Sequence, residues 1–307
     1  MKLKKFMKIS PFTLVLLVIA LVVTIASYRE VSEADADLLY VIPLKGNISG
    51  GIADFISRAI SEAEQRQADA ILLELKTLGG YADSMTEIGD TISNSKIPVD
   101  VFIEGRAISA GAYIALCANR IVMSPNAVLG ASQPLVADGS PAPEKTIAAF
   151  RKMFRGVAEA RAQRTGIELN PLLAEAMVDP EVEVEGVVAK GELLALTAQE
   201  ALKHQYADLI ADNLNAAIIK LGYEDLNTVT VRQTPIEKMV RFLTDPVISP
   251  LLLTIGFTAL IIEVFTAGFG VAGIIGITSL FLFFGVMQYK VGNQMGMFIE
   301  EILFQGL

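Results

Sequence analysis

Between Leu38 and about Gln233, short apolar runs alternate with amphipathic stretches. The apolar runs predict strands at Leu39 to Leu44, Ala70 to Leu75, Val99 to Ile103, Ile121 to Met123 and Val229 to Arg232. The amphipathic stretches predict helices near 51–66, 83–94, 110–118, 144–164 and 197–204. Strands interleaved with helices define an α/β domain, placed at 38–235. The pattern changes on both sides of it. Residues 1–37 run from a basic head (Lys2, Lys4, Lys5, Lys8) through an apolar segment, Phe12 to Ala26, to the acids Glu30, Glu33, Asp35 and Asp37. This is a signal peptide or a signal-anchor. The basic end stays in the cytoplasm and the next domain is placed on the periplasmic or extracellular side. Beyond Asp245, Val247 to Phe265 and Phe269 to Met287 are apolar runs of spanning length separated by Thr266, Ala267 and Gly268. They predict transmembrane α-helices in a tight hairpin over 246–290, with 291–307 a tail or the start of a truncated further membrane region.

Composition narrows the chemistry. A net charge of −9 with no basic cluster beyond the N-terminus excludes nucleic acid as a partner. One cysteine, Cys117, and one histidine, His204, leave no internal disulfide and no zinc constellation. Neither a metal nor another cofactor is expected. Cys117 lies in an apolar helical run and reads as a small core residue.

Four places are candidates for chemistry. Ser109 follows a strand-like run and precedes the helical run Ala110 to Ala118. A strand-to-helix turn holds a hydroxyl clear of the sheet beside free helix N–H groups, a setting that stabilises an oxyanion; it equally suits a helix N-cap. Gly79-Gly80 follows the second strand, where glycine lets backbone N–H groups turn inward or simply makes a tight turn. Gly268 to Gly273 matches the dinucleotide fingerprint, but no soluble strand precedes it and no acid follows at the needed distance. Glu263, an acid inside an apolar run near its end, is a functional or a structural carboxylate.

Several separate pieces, ILLELKTLGG (71–80), AISAGAYIAL (107–116), VMSPNAVLGASQP (122–134), LTAQEALKHQYADLI (196–210) and EVFTAGFGVAGIIGI (263–277), together resemble the NfeD-type, ClpP-class membrane-bound serine proteases, relatives of signal peptide peptidase A. The resemblance implies a ClpP/crotonase-like spiral domain followed by membrane helices. It implies Ser109 as nucleophile, a lysine base, and an oxyanion hole from Gly79, Gly80 and Ala110. Family members carry that lysine in a Pro-x-Lys setting, which Pro143-Glu144-Lys145 matches; Lys152 is the second choice and His204 a distant third. The family usually has Asp-Thr-Pro-Gly-Gly at the oxyanion turn, where this chain has Lys76-Thr77-Leu78-Gly79-Gly80, and a proline at the position of Ala267. Longer members continue into further spans and a small β-barrel domain, which implies a shortened form or a fragment.

The function implied is a Ser-Lys endopeptidase that cleaves hydrophobic segments of membrane proteins, with stomatin- or prohibitin-like proteins as partners, and that self-associates to enclose its site. Ile103, Ile108, Leu129 and Leu135 are its expected apolar flank. The alternative is a catalytically inactive scaffold that binds stomatin-like proteins. A crotonase-type acyl-CoA enzyme is disfavoured by the membrane spans and by a serine in place of acidic catalysts.

Overall fold

A computed structural model describes residues 37–245, 247–265 and 270–285. The expected signal segment, the 291–307 tail, Ala267 and Gly268 lie outside them. The sheet is built on three long parallel strands, β1 (Leu38–Lys45), β2 (Ala70–Thr77) and β3 (Val99–Ile108), with Leu39 opposite Ala70 and Ile71 opposite Val99. Their near-continuous apolar composition is that of strands buried on both faces. Along β1, Tyr40, Ile42 and Leu44 enter the larger core, while Leu39 and Val41 point to a smaller one on the other face.

Most of the shorter strands are arranged around β3. Its first half pairs with β4 (Ile121–Met123), which carries β7 (Leu209–Ile210). Its second half pairs with β5 (Val128–Gly130), which carries the antiparallel β6 (Ala195–Thr197). β8 (Asn227–Thr230) closes the far side against β1, with Leu38 opposite Asn227. β3 extends five residues beyond its expected end at Ile103, through the polar Glu104-Gly105-Arg106; Gly105 takes φ 91° and the pairing with β2 shifts register between Leu75 and Thr77. Arg106 to Ile108 then pair with β5, so the strand delivers its last residue directly to Ser109.

The helices bury the faces their patterns predict. In α1 (Gly50–Gln65), Ile52, Phe55, Ile56, Ala59, Ile60 and Ala63 face the core. α2 (Ala82–Ser93) covers the same side, and α3 (Ala110–Leu116) is buried along its whole length. α4 (Glu144–Thr165) is amphipathic and largely exposed, burying Ile147, Phe154, Ala158 and Arg161, and it ends at Gly166 with φ 72°. The short α5 (Pro171–Ala176), α6 (Ala198–Lys203) and α7 (Leu214–Leu221) complete this part. α6 starts one residue inside the expected range because Thr197 caps it, in a capping box with Glu200.

α8 (Pro235–Leu243) leads into α9 (Ile248–Val264) through a bend of 70°. A further apolar helix, α10, covers Val271–Gly285. Among the described residues no single helix is long and apolar enough to cross a membrane by itself. α9 and α10 touch through small residues: a Cβ on Gly256 would lie 2.6 Å from Leu280, and one on Gly276 would lie 2.7 Å from Leu260. The Glu263 carboxylate accepts the N–H groups of Gly270 and, at 2.8 Å, Gly273. It therefore caps α10, and the donors a nucleotide phosphate would use there are already occupied.

Candidate active site

Ser109 sits between β3 and α3 with φ 55° and ψ −120°. Residues other than glycine rarely adopt this conformation, and it is held at both ends. The Ser109 N–H donates to the Gly130 carbonyl at 3.1 Å, and the Ser109 carbonyl accepts from Ala112 N–H at 2.9 Å and from the Ser132 hydroxyl at 3.3 Å. The result turns the Ser109 side chain toward a cleft of about 750 Å³ lined by Leu78, Gly80, Tyr81, Ala110, Leu135, Val136, Phe150 and Phe154, among others.

The glycine turn lies directly against this serine. A Cβ built on Gly79 would stand 2.7 Å from Ser109 Cβ and 3.1 Å from its Oγ, so only glycine fits. Gly79 takes φ 119°, and the buried Thr77 hydroxyl accepts its N–H at 2.9 Å and donates to its carbonyl at 3.2 Å. With Pro replaced by Leu78, this hydroxyl braces the turn. Gly80 is pressed onto the backbone of Ile48, whose carbonyl a Cβ there would strike. Ile48 N–H donates to Gly79 O, and Tyr81 N–H donates to Ile48 O. The three expected oxyanion residues are thus brought beside Ser109 with different duties. Gly79 spends its N–H on Thr77. Gly80, and Ala110 as first residue of α3, line the cleft, and their N–H groups have no backbone partner among the described residues.

The lysines separate clearly. Lys145 is exposed in the first turn of α4, outside the cleft lining, although Pro143 and Thr146 on either side of it belong to that lining. Lys152 lies two turns on and is committed to Glu175 at 2.9 Å, which Arg155 also binds at 3.1 Å. Burial pushes the Glu175 carboxyl upward, and its bonds to Lys152 and Arg155 more than reverse this, leaving it below the ordinary carboxylate range. His204 is the C-cap residue of α6 and does not line the cleft. Cys117 is buried at the end of α3, and burial pushes its thiol up to about 12, so it stays protonated and inert. Ile108 and Leu135 line the cleft, whereas Ile103 and Leu129 are fully buried in the core.

α4 is fixed relative to Ser109 by contacts the sequence did not announce. The fully buried Arg161 bonds Asp208 at 2.5 Å and the Gln205 carbonyl at 3.1 Å, and Arg164 donates to the carbonyls of Cys117 and Ala118 at the end of α3. Phe154 packs on Tyr113 of α3, ring centres 5.3 Å apart. Thr77, Ile48 and Gly130 also support the site without having been marked by the sequence pattern; for Thr77 the available signal was its place immediately before Leu78-Gly79-Gly80. Among the described residues no group of three or more His, Cys, Asp or Glu is placed to hold a metal.

Sheet, serine turn and cleft define an α/β domain, followed in the chain by a membrane domain. The chain belongs to the NfeD family: residues 38–231 match the model described as NfeD1b, N-terminal domain, and residues 247–299 match the NfeD integral membrane domain. Membrane protein NfeD1b of Bacillus subtilis is 38% identical over 82% of this chain and 57% of its own length. Membrane-bound protease PH1510 of Pyrococcus horikoshii is 31% identical over 87% of this chain and 63% of its own length. The chain therefore spans about three fifths of these relatives. Among solved structures, the 1510-N membrane-bound stomatin-specific protease superposes with a TM-score of 0.57 at 28% identity, covering 69% of this chain and 99% of that one, in a form with one lysine replaced by alanine and a substrate peptide bound. A form with one serine replaced by alanine gives a TM-score of 0.55 at 29% identity over 64% of this chain and 99% of that one.

Proposed function

We propose that this chain is a membrane-bound serine endopeptidase in which Ser109 and Lys145 act as nucleophile and base. The observation that carries the reading is the strained Ser109 turn with Gly79 packed against it and, on the same cleft, the N–H groups of Gly80 and Ala110, which have no backbone partner among the described residues. In the reaction, Ser109 Oγ attacks a peptide carbonyl carbon while its proton passes to the Lys145 amine. The carbonyl oxygen becomes an oxyanion held by Gly80 and Ala110 N–H groups. The lysine returns its proton to the departing amine, and water then releases the acyl group from Ser109. The relative's solved forms, one lacking a serine and one lacking a lysine, are in keeping with such a pair.

A lysine serves as base once its amine is deprotonated, which burial favours. Lys145 is exposed in the single chain, so self-association over the first turn of α4 is part of this reading. Leu78 (67% exposed) and Leu135 (60%) stand at the cleft with Val136, a rim that suits an apolar segment laid out in extended form. Hydrophobic stretches of membrane proteins are the substrate class, and stomatin-like proteins the leading candidates, since the relative is named for that specificity. The basic N-terminal head supports a periplasmic or extracellular side for the domain, tethered by the membrane helices.

The exposure of Lys145 also supports the second reading, an inactive scaffold for stomatin-like proteins. A peptide panel separates them. The enzyme reading requires faster cleavage of apolar than of charged peptides and none by Ser109→Ala; no cleavage of any peptide by the full chain in bilayers favours the scaffold.

A further inference from the structure

Away from Ser109, a second cleft of about 620 Å³ opens between α8 and the loop that starts α1. We propose that it binds the phosphate of an anionic phospholipid, with α8 lying along the membrane surface as an interfacial helix.

The chemistry of the cleft calls for an anion. Lys238 and Arg241 of α8 line it, and neither forms an ion pair among the described residues. Arg241 is set over the first turn of α1, because Gly51 leaves room for it: a Cβ there would lie 2.9 Å from Arg241 Cβ. Its Nη2 reaches the loop, 3.3 Å from where a Cβ on Gly46 would stand. Two buried polar atoms on the same lining, Ser49 Oγ and Gln233 Nε2, have no hydrogen-bond partner among the described residues. Ser49 is the N-cap residue of α1 yet caps nothing with its side chain, unlike Thr234 and Thr197 at α8 and α6. Buried donors without acceptors are costly, and one phosphate satisfies hydroxyl, amide and both cations together. The one acid on the lining, Asp245, is turned to α9, where its Oδ1 accepts the N–H of Val247 at 2.9 Å and of Ile248 at 3.4 Å.

The setting selects a lipid as the source. α8 meets α9 at 70°, and α9 lies in the membrane-domain match, so a helix standing in the bilayer leaves α8 close to the membrane plane. α8 buries Val240 and Leu243 but exposes Ile236 (62%), Met239 (52%) and Phe242 (60%), spaced three apart on one stripe. Apolar stripe and flanking cations are the pattern of helices that lie in the headgroup region. Its polar edge is anchored to the protease domain, since Arg58 of α1 bonds Glu237 at 2.5 Å. Lipid bound here sets the height and tilt of the domain above the bilayer.

The chain has no tryptophan, so Met239→Trp introduces a lone indole into α8. The detergent-solubilised full chain is titrated with brominated phosphatidylglycerol or brominated phosphatidylcholine, with and without millimolar inorganic phosphate. The proposal requires stronger quenching by the anionic lipid, unchanged by phosphate and weakened roughly tenfold or more in apparent affinity by Lys238→Gln with Arg241→Gln. Lys238→Glu alone, at an exposed position, must also weaken it, which covers the case of a double variant that fails to fold. Equal quenching by the two lipids, or a charge-neutralised variant that binds as before, overturns the site. Full displacement by inorganic phosphate overturns the lipid assignment.

Discussion

Replacing Ser109 by glycine and by alanine separates the chemistry of the nucleophile from the strain in its backbone. At φ 55° and ψ −120°, a residue with a Cβ carries about 1–3 kcal/mol of strain. Alanine keeps that strain. The Ser109 hydroxyl makes no hydrogen bond within the protein among the described residues, so Ser109→Ala should change stability by no more than ~0.5 kcal/mol. Glycine relieves the strain but adds about 0.5–1 kcal/mol of backbone entropy to be lost on folding. The anchors of the turn, Ser109 N–H to Gly130 and Ala112 N–H to Ser109, survive both changes. Ser109→Gly should therefore be the more stable of the two by about 1 kcal/mol, or roughly 2–4 °C in Tm for a domain of this size. Both variants should be inactive. Far-UV circular dichroism melts of the full chain in detergent, run beside a peptide cleavage assay, give the comparison. If the glycine variant melts at or below the alanine variant, the turn stores no strain and the reasoning from its dihedral angles fails.

Lys145→Arg keeps the charge but cannot give up a proton near neutrality, so it should lower kcat nearly as far as Lys145→Ala, whereas Lys152→Ala should cost only its exposed link to Glu175; retained activity in the first with loss in the second moves the base to Lys152. Asp208→Ala leaves the fully buried Arg161 without its carboxylate and should destabilise the domain by about 3–5 kcal/mol, read as a shift in denaturant midpoint, with a shift below ~1 kcal/mol contradicting the structural role given to this pair. In the pH dependence of stability, Glu175 is held below the ordinary carboxylate range, so its contribution is present above its unfolded value and lost as pH falls through its folded one. Glu175→Gln should accordingly flatten the acid limb below about pH 4 and leave neutral stability merely lowered.

Elements long enough to show their own period were legible within a residue or two, β1 and β2 by their apolar runs and α1, α2 and α4 by their amphipathic faces, and the three-residue β4 was legible by its all-apolar Ile121-Val122-Met123. What escaped was fixed by pairing. β5, β6 and β7 have two or three residues each and exist because β3, β5 and β4 respectively offer edges to them. The apolar run of β3 ends at Ile103, before the polar Glu104-Gly105-Arg106, yet its pairing with β5 carries the strand to Ser109. β8 lies two residues before its expected start, its register set by Leu38 rather than by its own pattern. At the site, Ser109, Gly79 and Gly80 could be marked because glycine pairs and a strand-to-helix serine leave a local signature. Thr77 has only its place before the glycine pair, where its hydroxyl braces Gly79, and Ile48 has no signature at all, since its work is done by a backbone carbonyl from another part of the chain. The split of the apolar flank follows the strand: Ile103 and Leu129 face inward, and Ile108 sits at the strand end where the cleft opens.

The central claim is that Ser109 is a nucleophile, and labelling with a fluorophosphonate probe tests it most directly. The full chain in bilayers is treated with the probe, digested and mapped by mass spectrometry. The account predicts a covalent adduct on the peptide that carries Ser109, absent from Ser109→Ala and lost on prior heating. Peptide cleavage that continues with Ser109 unmodified, or equal labelling of the alanine variant, would contradict it.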